Sequence, residues 1–399
     1  MSIHAYLRPD GRKGIRNTLV VGYLVECAHH VSREIVYPYR EQGVHLIGFP
    51  GCFPNPYSYK MMERLCTHPN VGAVLLVSLG CEGFNKGKLL ETVRRSGRPT
   101  KLVVIQDTGG TRKSIAEGKA WVEQTLSQLE QTPRTPMGIE ELIVGTICGG
   151  SDATSGLTAN PAMGRAFDFL VEKNATCIFE ETGELIGMEH WMAERAENPA
   201  LGQEIIKTVA KAARYYAAYG HASIGPGNAD GGLTTIEEKS LGAYAKSGQS
   251  VISGIIKPGD VPIRGGLYLL DVVPDGEPRF GFPNISDNAE IAELMACGSH
   301  LSLFSTGRGS VVGSAISPVI KVCANPETYR RMSEDMDVDA GRILEGKATL
   351  DEVGREIYDL TLRVANGEKT KSEALGHQEF ILTYKSFEPL GPACFPSAA

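Results

Sequence analysis

The chain has 399 residues, 42% hydrophobic and 22% charged, which excludes a disordered or fibrous protein and suits two globular domains of roughly 100–200 residues each. Its 40 basic and 47 acidic residues give a formal net charge of −7 without a dense Lys/Arg run, so nucleic acid is excluded as a partner and any anionic ligand must be met by a few local cations. The N-terminus "MSIHAYLRPDGRKGIRN" lacks a signal-peptide core and no stretch approaches the roughly 18 apolar residues of a membrane span, so a cytoplasmic chain without a membrane partner is expected. Nine cysteines, an odd number scattered without CxxC spacing, argue against a disulfide framework or a zinc ribbon.

From Thr18 onward, short β-branched runs alternate with helical stretches. "TLVVGYLV" precedes a helix over Cys27–Gln42, "VHLIGF" one over Tyr57–His68, "AVLLVSL" one over Lys86–Ser96, and "KLVVIQ" a long polar helix to about Gln131. Apolar runs without polar alternation mark strands buried on both faces, and intervening helices mark parallel crossovers. Pro133 and Pro136 read as a linker, dividing the chain into an N-terminal region, 1–135, and a C-terminal region, 136–399. The second region repeats the theme: strands at "ELIVGTI" and "TCIFEE", helices over Leu185–Arg195, Gln203–Tyr219 and Thr235–Ser247, then strands at "SVISGII", "GLYLLDVV", "LSLFST" and "PVIKVC". The expected class is α/β, as two layered α/β regions with mostly parallel sheets.

Chemistry in such folds sits at the carboxyl ends of the strands, where this chain places Gly-rich polar loops. In "CGGSDATSGLTANPAMG" the pattern is neither GxGxxG nor GxxxxGK[ST], which argues against a nucleotide. Cys148 and Asp152 can ligate a metal, while Ser151, Thr154 and Asn160 can hold hydroxyls of a small polar ligand; a tight turn with Asp152 or Ser155 capping a helix explains the same residues. In "SLGCEGFN", Glu82 is a candidate base or ligand beside Cys81, or a solvent-facing neighbour of a buried thiol. Cys52, Cys81 and Cys148 each end a predicted strand, which suggests soft ligands for a transition metal such as iron. Within "ETGELIGMEH", Glu181 and His190 are candidate ligand and base, whereas Glu184 is accounted for by the helix macrodipole. A capping box explains Thr235 and Glu238 and leaves Asn228 and Lys239 as candidate polar contacts, Lys239 a catalytic one. In "FSTGRGSVVGSAISPVIKV", Thr306 and Arg308 among glycines, with Lys321 on the next strand, suit a carboxylate or sulfonate; an Arg paired to a carboxylate is the structural alternative.

Together "RPDGRKGIRN", "SLGCE", "CGGSDATSGLTANPAMG", "GNADGGLTTIEEKSLG", "STGRGS" and "DVDAGRI" resemble the altronate/galactarate dehydratase family, over most of the chain to about Gly346. That resemblance implies a lyase using a divalent metal, with iron(II) expected, on a small anionic 2-hydroxy acid that carries a leaving group on the next carbon. A metal chelated by carboxylate and hydroxyl would stabilise the charge that develops when a base removes the weakly acidic proton. Sugar-acid dehydratases of the family carry a small domain before the signature that here begins at Arg8, so that domain is expected to be absent or on a separate chain; the ending, Leu375–Cys394, also departs from theirs. In size and layout the chain is similar to the large, beta subunit of the family's two-subunit sulfolactate sulfo-lyases. This implies a small alpha subunit as partner, release of sulfite from sulfolactate to give pyruvate, and Arg16, Arg308 and Lys321 as cations for a sulfonate. A sugar-acid hydro-lyase and a non-catalytic sugar-acid-binding subunit are the alternatives.

Overall fold

The computed structural model describes residues 2–218, 226–275, 286–382 and 385. Its strands, in chain order, are β1 (Ile3–Leu7), β2 (Lys13–Gly14), β3 (Thr18–Tyr23), β4 (Val44–Gly48), β5 (Val71–Ser78), β6 (Thr100–Val104) and β7 (Arg134–Met137). They continue as β8 (Ile143–Cys148), β9 (Thr176–Phe179), β10 (Ile252–Ile256), β11 (Gly266–Leu270), β12 (Leu301–Thr306), β13 (Val319–Cys323) and β14 (Val338–Asp339). Two sheets are parallel throughout: four strands in the order β4-β3-β5-β6, and seven in the order β10-β11-β9-β8-β12-β13-β14. The α/β class expected from the apolar runs is therefore the class observed.

Each sheet buries both faces, which is why its strands lack polar alternation. On β5, Val74 and Leu76 enter one core while Ala73, Leu75 and Val77 enter another. The first of these is shared: Ile147, Ile178, Leu270 and Phe304 of the seven-stranded sheet pack into it beside helix Asp287–Ala296. Val144, Phe179, Leu303 and Ile320 face the opposite way, under helices Ala159–Val171 and Leu350–Ala365. Helix Pro56–Cys66 starts on a capping box between Asn55 and Ser58 with Pro56 in its first turn, the arrangement that satisfies its free N–H groups.

A third sheet, β2-β1-β7, is antiparallel and departs from expectation, because Arg134–Met137 forms a strand inside the presumed linker. Pro136 is tolerated there since β7 is an edge strand. The "RPDGRKGIRN" stretch folds around this sheet. Arg8 is buried and donates to the Pro69 carbonyl, Asn17 Oδ1 and the Arg16 carbonyl, each at 2.6 Å; burial and the nearby Arg98 bring its pKa down to about 9.

Helix boundaries moved where backbone chemistry dictates. The expected Cys27–Gln42 helix is α-helical only over His29–Val36, because Pro38 converts the rest into a 3-10 turn. The expected Leu185–Arg195 helix begins only at Glu189, after Gly187 in the left-handed region at φ +95°. Helix Pro199–Ala218 covers most of the next expected helix, whose last residue, Tyr219, lies outside the described residues, as does Cys394.

Two buried histidines join the sheets. His68 Nε2 meets the Ser299 carbonyl at 3.1 Å and its Nδ1 accepts from Asn70 N–H at 3.0 Å; His300 Nε2 meets the Lys13 carbonyl at 2.9 Å and its Nδ1 accepts from Ile143 N–H at 3.0 Å. Both rings are thereby committed to one neutral tautomer. Burial lowers both pKa values, that of His300 to about 4. A histidine with a lowered folded pKa supplies stability that is complete above about pH 6.5 and is lost as pH falls toward 4, because the unfolded chain takes the proton first. Buried carboxyls titrate the opposite way, so the test is a comparison with His300→Gln. The stability advantage of the parent chain should shrink by roughly 3 kcal/mol between about pH 7 and pH 4, and a pH-independent difference in denaturant unfolding would contradict this.

Candidate active site

In the seven-stranded sheet the chain runs from β8 outward through β9 and later returns to pair β12 on the other side of β8. The crevice at the carboxyl ends of β8 and β12 is the switch point at which such sheets receive ligands. Register places Ser305 of β12 opposite Cys148 of β8, so the "CGGSD" and "STGRGS" loops leave the sheet side by side. Gly307 is required there: a Cβ would stand 2.1 Å from Asp152 Oδ1.

Cys148 is the centre of a compact polar cluster. Its thiol lies 3.0 Å from Glu181 Oε1, 3.3 Å from Glu184 Oε2 and 3.4 Å from Ser151 Oγ. Cys148 N–H also donates to Glu181 Oε1 at 3.1 Å. Burial, and then the Glu184 charge, push the thiol pKa up. One S–H proton facing two carboxylate oxygens is a poorer match than a cation would be, and the three ligand atoms lie within 4.8 Å of one another. One thiol and two carboxylates fit a divalent transition metal.

The outer oxygens of both carboxylates are held by lysines. Lys239 Nζ lies 2.6 Å from Glu184 Oε1, and Lys246 Nζ pairs with Glu181 Oε2 and lies 3.9 Å from Glu184 Oε2. Both lysines project from one helix, Ile236–Ala245 and its C-cap, where a spacing of seven residues returns to the same face. Lys239 loses proton affinity through burial but gains more from Glu184, and its pKa is raised. Glu181 occupies the left-handed region at φ +79°, a conformation costing about 1–3 kcal/mol for a non-glycine residue and concentrated at functional sites. Asp287 Oδ2 stands against Gly149, where a Cβ would come within 2.4 Å of it. Burial and the Glu184 charge raise Asp287 to about 6. A small cleft opens beside the cluster, lined by Ser151, Asp152, Asn160, Glu184, Lys239 and Ala243.

Several sequence candidates occupy other places. Asp152 does not ligate with Cys148: its Oδ1 accepts from Thr154 N–H at 2.9 Å, Thr154 Oγ1 at 2.6 Å and Ser155 Oγ at 3.2 Å, and its Oδ2 from Asn325 Nδ2 at 3.0 Å. The turn reading therefore holds for this residue, although neither Asp152 nor Ser155 caps the helix, which begins after Thr158. Cys52 and Cys81 are exposed on loops of the four-stranded sheet and are not among the ligand atoms grouped with Cys148. Glu82 is on that sheet too; burial raises its proton affinity, but hydrogen bonds from Ser78 Oγ and Gly80 N–H outweigh this and lower its pKa. A carboxylate so occupied ties its loop and is a poor base. His190 is exposed on the first turn of helix Glu189–Glu194. Arg16 is bound bidentately by Glu373 at 2.7 and 2.9 Å and donates to the Val364 and Glu368 carbonyls, which makes it a structural tie and not a sulfonate clamp.

Of the remaining candidates, Asn160 lines the cleft. Asn160 Nδ2 donates to the Gly242 carbonyl at 3.0 Å, leaving its buried Oδ1 without a partner among the described residues. Asn228 Nδ2 reaches the Ser151 carbonyl at 3.2 Å. Thr306 Oγ1 accepts from Gly309 N–H at 3.0 Å, and exposed Arg308 donates to the Gly227 carbonyl at 2.6 Å. Lys321 is fully buried in β13. Glu184, Lys246 and Asp287 were missed; only the seven-residue spacing of the lysines was visible beforehand.

Residues 139–387 match the family model described as D-galactarate/altronate dehydratase, C-terminal, and residues 5–130 match D-galactarate dehydratase/altronate hydrolase, second domain. The chain is 33% identical over 396 residues to the (2R)-sulfolactate sulfo-lyase subunit beta of Chromohalobacter salexigens, covering 95% of this chain and 96% of that one. It is 28% identical over 397 residues to the altronate dehydratase of Escherichia coli, covering 95% of this chain and 77% of that one. Against the galactarate dehydratase (L-threo-forming) of Escherichia coli it is 33% identical over 324 residues, covering 78% and 59%.

Proposed function

Because the chain belongs to the D-galactarate/altronate dehydratase family, we propose that it is a metal-assisted β-eliminating lyase acting on a small anionic 2-hydroxy acid, with sulfolactate as substrate. The observation that carries this reading is the donor set of buried Cys148 and Glu181 with half-buried Glu184, backed by two lysines at a switch-point crevice. A divalent metal held there, iron(II) by the softness of its thiolate, would supply a Lewis acid for the substrate carboxylate and hydroxyl. Lys239 and Lys246 orient the two carboxylates and place positive charge where the carboxylate becomes electron-rich as the C–H bond breaks. Asp287, whose carboxylate stands against Gly149 beside the Cys148 loop, takes the proton from the hydroxyl-bearing carbon. The bond to sulfur at the next carbon then breaks with its electron pair, releasing sulfite and an enol that becomes pyruvate. Ser151 and Asn160 offer hydrogen bonds to the substrate, and Arg308 at the rim offers a guanidinium to its sulfonate.

Sulfite departs far more readily than hydroxide, so this assignment does not need the strong general acid that a dehydratase requires. Near end-to-end coverage of a sulfo-lyase beta subunit, against 77% of a longer altronate dehydratase, supports sulfolactate and a small partner chain. The complex, supplied with ferrous iron and a panel of 2-hydroxy acids, is expected to release sulfite and pyruvate from sulfolactate. A 2-keto-3-deoxy acid from a sugar acid, with no sulfite from sulfolactate, would assign it instead as a hydro-lyase.

A further inference from the structure

Three exposed thiols lie on neighbouring loops at the carboxyl edge of the four-stranded sheet. Cys27 lies in the turn Glu26–Ala28 after β3, Cys52 in the loop after β4, and Cys81 in the loop after β5. Among the described cysteines these three are exposed, whereas Cys66, Cys148, Cys177, Cys297 and Cys323 are buried. A free cysteine ordinarily prefers the interior, so three exposed ones on neighbouring loops call for a cause. The loops are joined directly: Glu26 N–H donates to the Pro50 carbonyl at 3.0 Å and Gly83 N–H to the Cys52 carbonyl at 2.8 Å, and Phe53 packs on Gly83. In the order β4-β3-β5-β6 the chain reverses direction across the sheet between β3 and β5, and Cys27 and Cys81 flank that switch point, where open parallel sheets take ligands.

We propose that Cys27, Cys52 and Cys81 ligate an iron–sulfur cluster, a centre separate from the Cys148, Glu181 and Glu184 site. Three sulfurs select a soft metal over magnesium or calcium. Their spread decides between a single ion and a cluster. The three sulfurs do not all lie within 4.8 Å of one another, whereas one tetrahedral ion at about 2.3 Å from each would draw them to roughly 3.8 Å. A cubane carries its irons at separate corners and takes thiolates from farther apart. The carboxylate and imidazole that follow two of these thiols in sequence are already engaged: Glu82 accepts from Ser78 and Gly80, and His29 pairs with Glu26 at 3.1 Å. Three cysteines therefore leave one iron open to water or a small oxygen ligand.

Anaerobic reconstitution of the whole chain with ferric iron, sulfide and excess dithiothreitol, in which the thiol reduces part of the iron, followed by desalting, tests this. Expected are about four acid-labile sulfides per chain for a cubane, with iron in at least equal amount because the Cys148 site can hold one more, and a broad sulfur-to-iron charge-transfer absorption. Cys27→Ser, Cys52→Ser and Cys81→Ser should each abolish the sulfide and the absorption, while Cys148→Ser and Cys177→Ala should keep both. The three side chains are exposed, so the serine variants should melt like the parent before reconstitution. Should one of them misfold, alkylating the exposed thiols of the folded parent chain should block reconstitution equally. Iron without acid-labile sulfide, or a cluster that survives all three substitutions, would overturn the proposal.

Discussion

Replacing Glu181 by Gln is expected to lower kcat/KM by at least about 100-fold and to destabilise the chain by about 3–5 kcal/mol. The two effects share one cause. Glu181 bridges the Cys148 backbone and thiol on one oxygen and Lys246 on the other, and Lys246 is 2% exposed. The amide keeps the shape but removes the charge, leaving a buried ammonium with only Glu184, 3.9 Å away, as counter-charge and a donor set short of one anionic ligand. The double variant Glu181→Gln/Lys246→Met separates the two contributions. It should recover most of the lost stability, because replacing both members of a buried pair is far cheaper than removing one, and it should stay inactive. Recovery of activity in the double variant would sink the assignment of Glu181 as a ligand.

Lys321→Met is expected to stabilise the chain by about 1–3 kcal/mol at neutral pH. On β13, Ile320 and Val322 face the outer core and Val319 the core shared by the two sheets; strand alternation sends Lys321 to the side of Val319. Its Nζ has no hydrogen-bond partner among the described residues. Burial lowers its pKa, with Asp335, Asp337 and Glu379 pulling the other way. A lysine with a lowered folded pKa carries a penalty below that pKa, and the penalty fades as pH rises through it toward 10.5. The gain from Met should therefore shrink in alkaline solution. Thermal melts at neutral and alkaline pH, run beside turnover on sulfolactate, check both halves. A stabilised but inactive variant assigns Lys321 to an anion, whereas a destabilised one shows that the ammonium is compensated in the folded chain.

Much of the fold was legible because it rests on local periodicity. Unalternating runs such as "AVLLVS" can be satisfied only with both faces covered, so parallel strands and crossover helices follow from the residues themselves. The antiparallel sheet was not legible: β1 and β7 are separated by more than a hundred residues, and β7 contains Pro136, which reads locally as a breaker. Family membership was legible too, since its signatures are contiguous strings.

The site divides along the same line. Residue type and position at a strand end singled out Cys148 and Glu181, and the same reasoning grouped them with Cys52, Cys81 and Asp152. Sequence determines which side chains stand at carboxyl ends, because strand and loop are properties of neighbouring residues. Which of those ends share a crevice depends on strand order, and that is decided by long-range packing of one sheet against its helices and the other sheet. Tertiary structure thus placed Cys52 and Cys81 on a different sheet with Cys27, satisfied Asp152 by its own turn and by Asn325, and tied Arg16 to Glu373. It also brought Glu184, which local reasoning explained by the macrodipole, to 3.3 Å from the Cys148 thiol, since a contact across 36 residues leaves no trace in either local string.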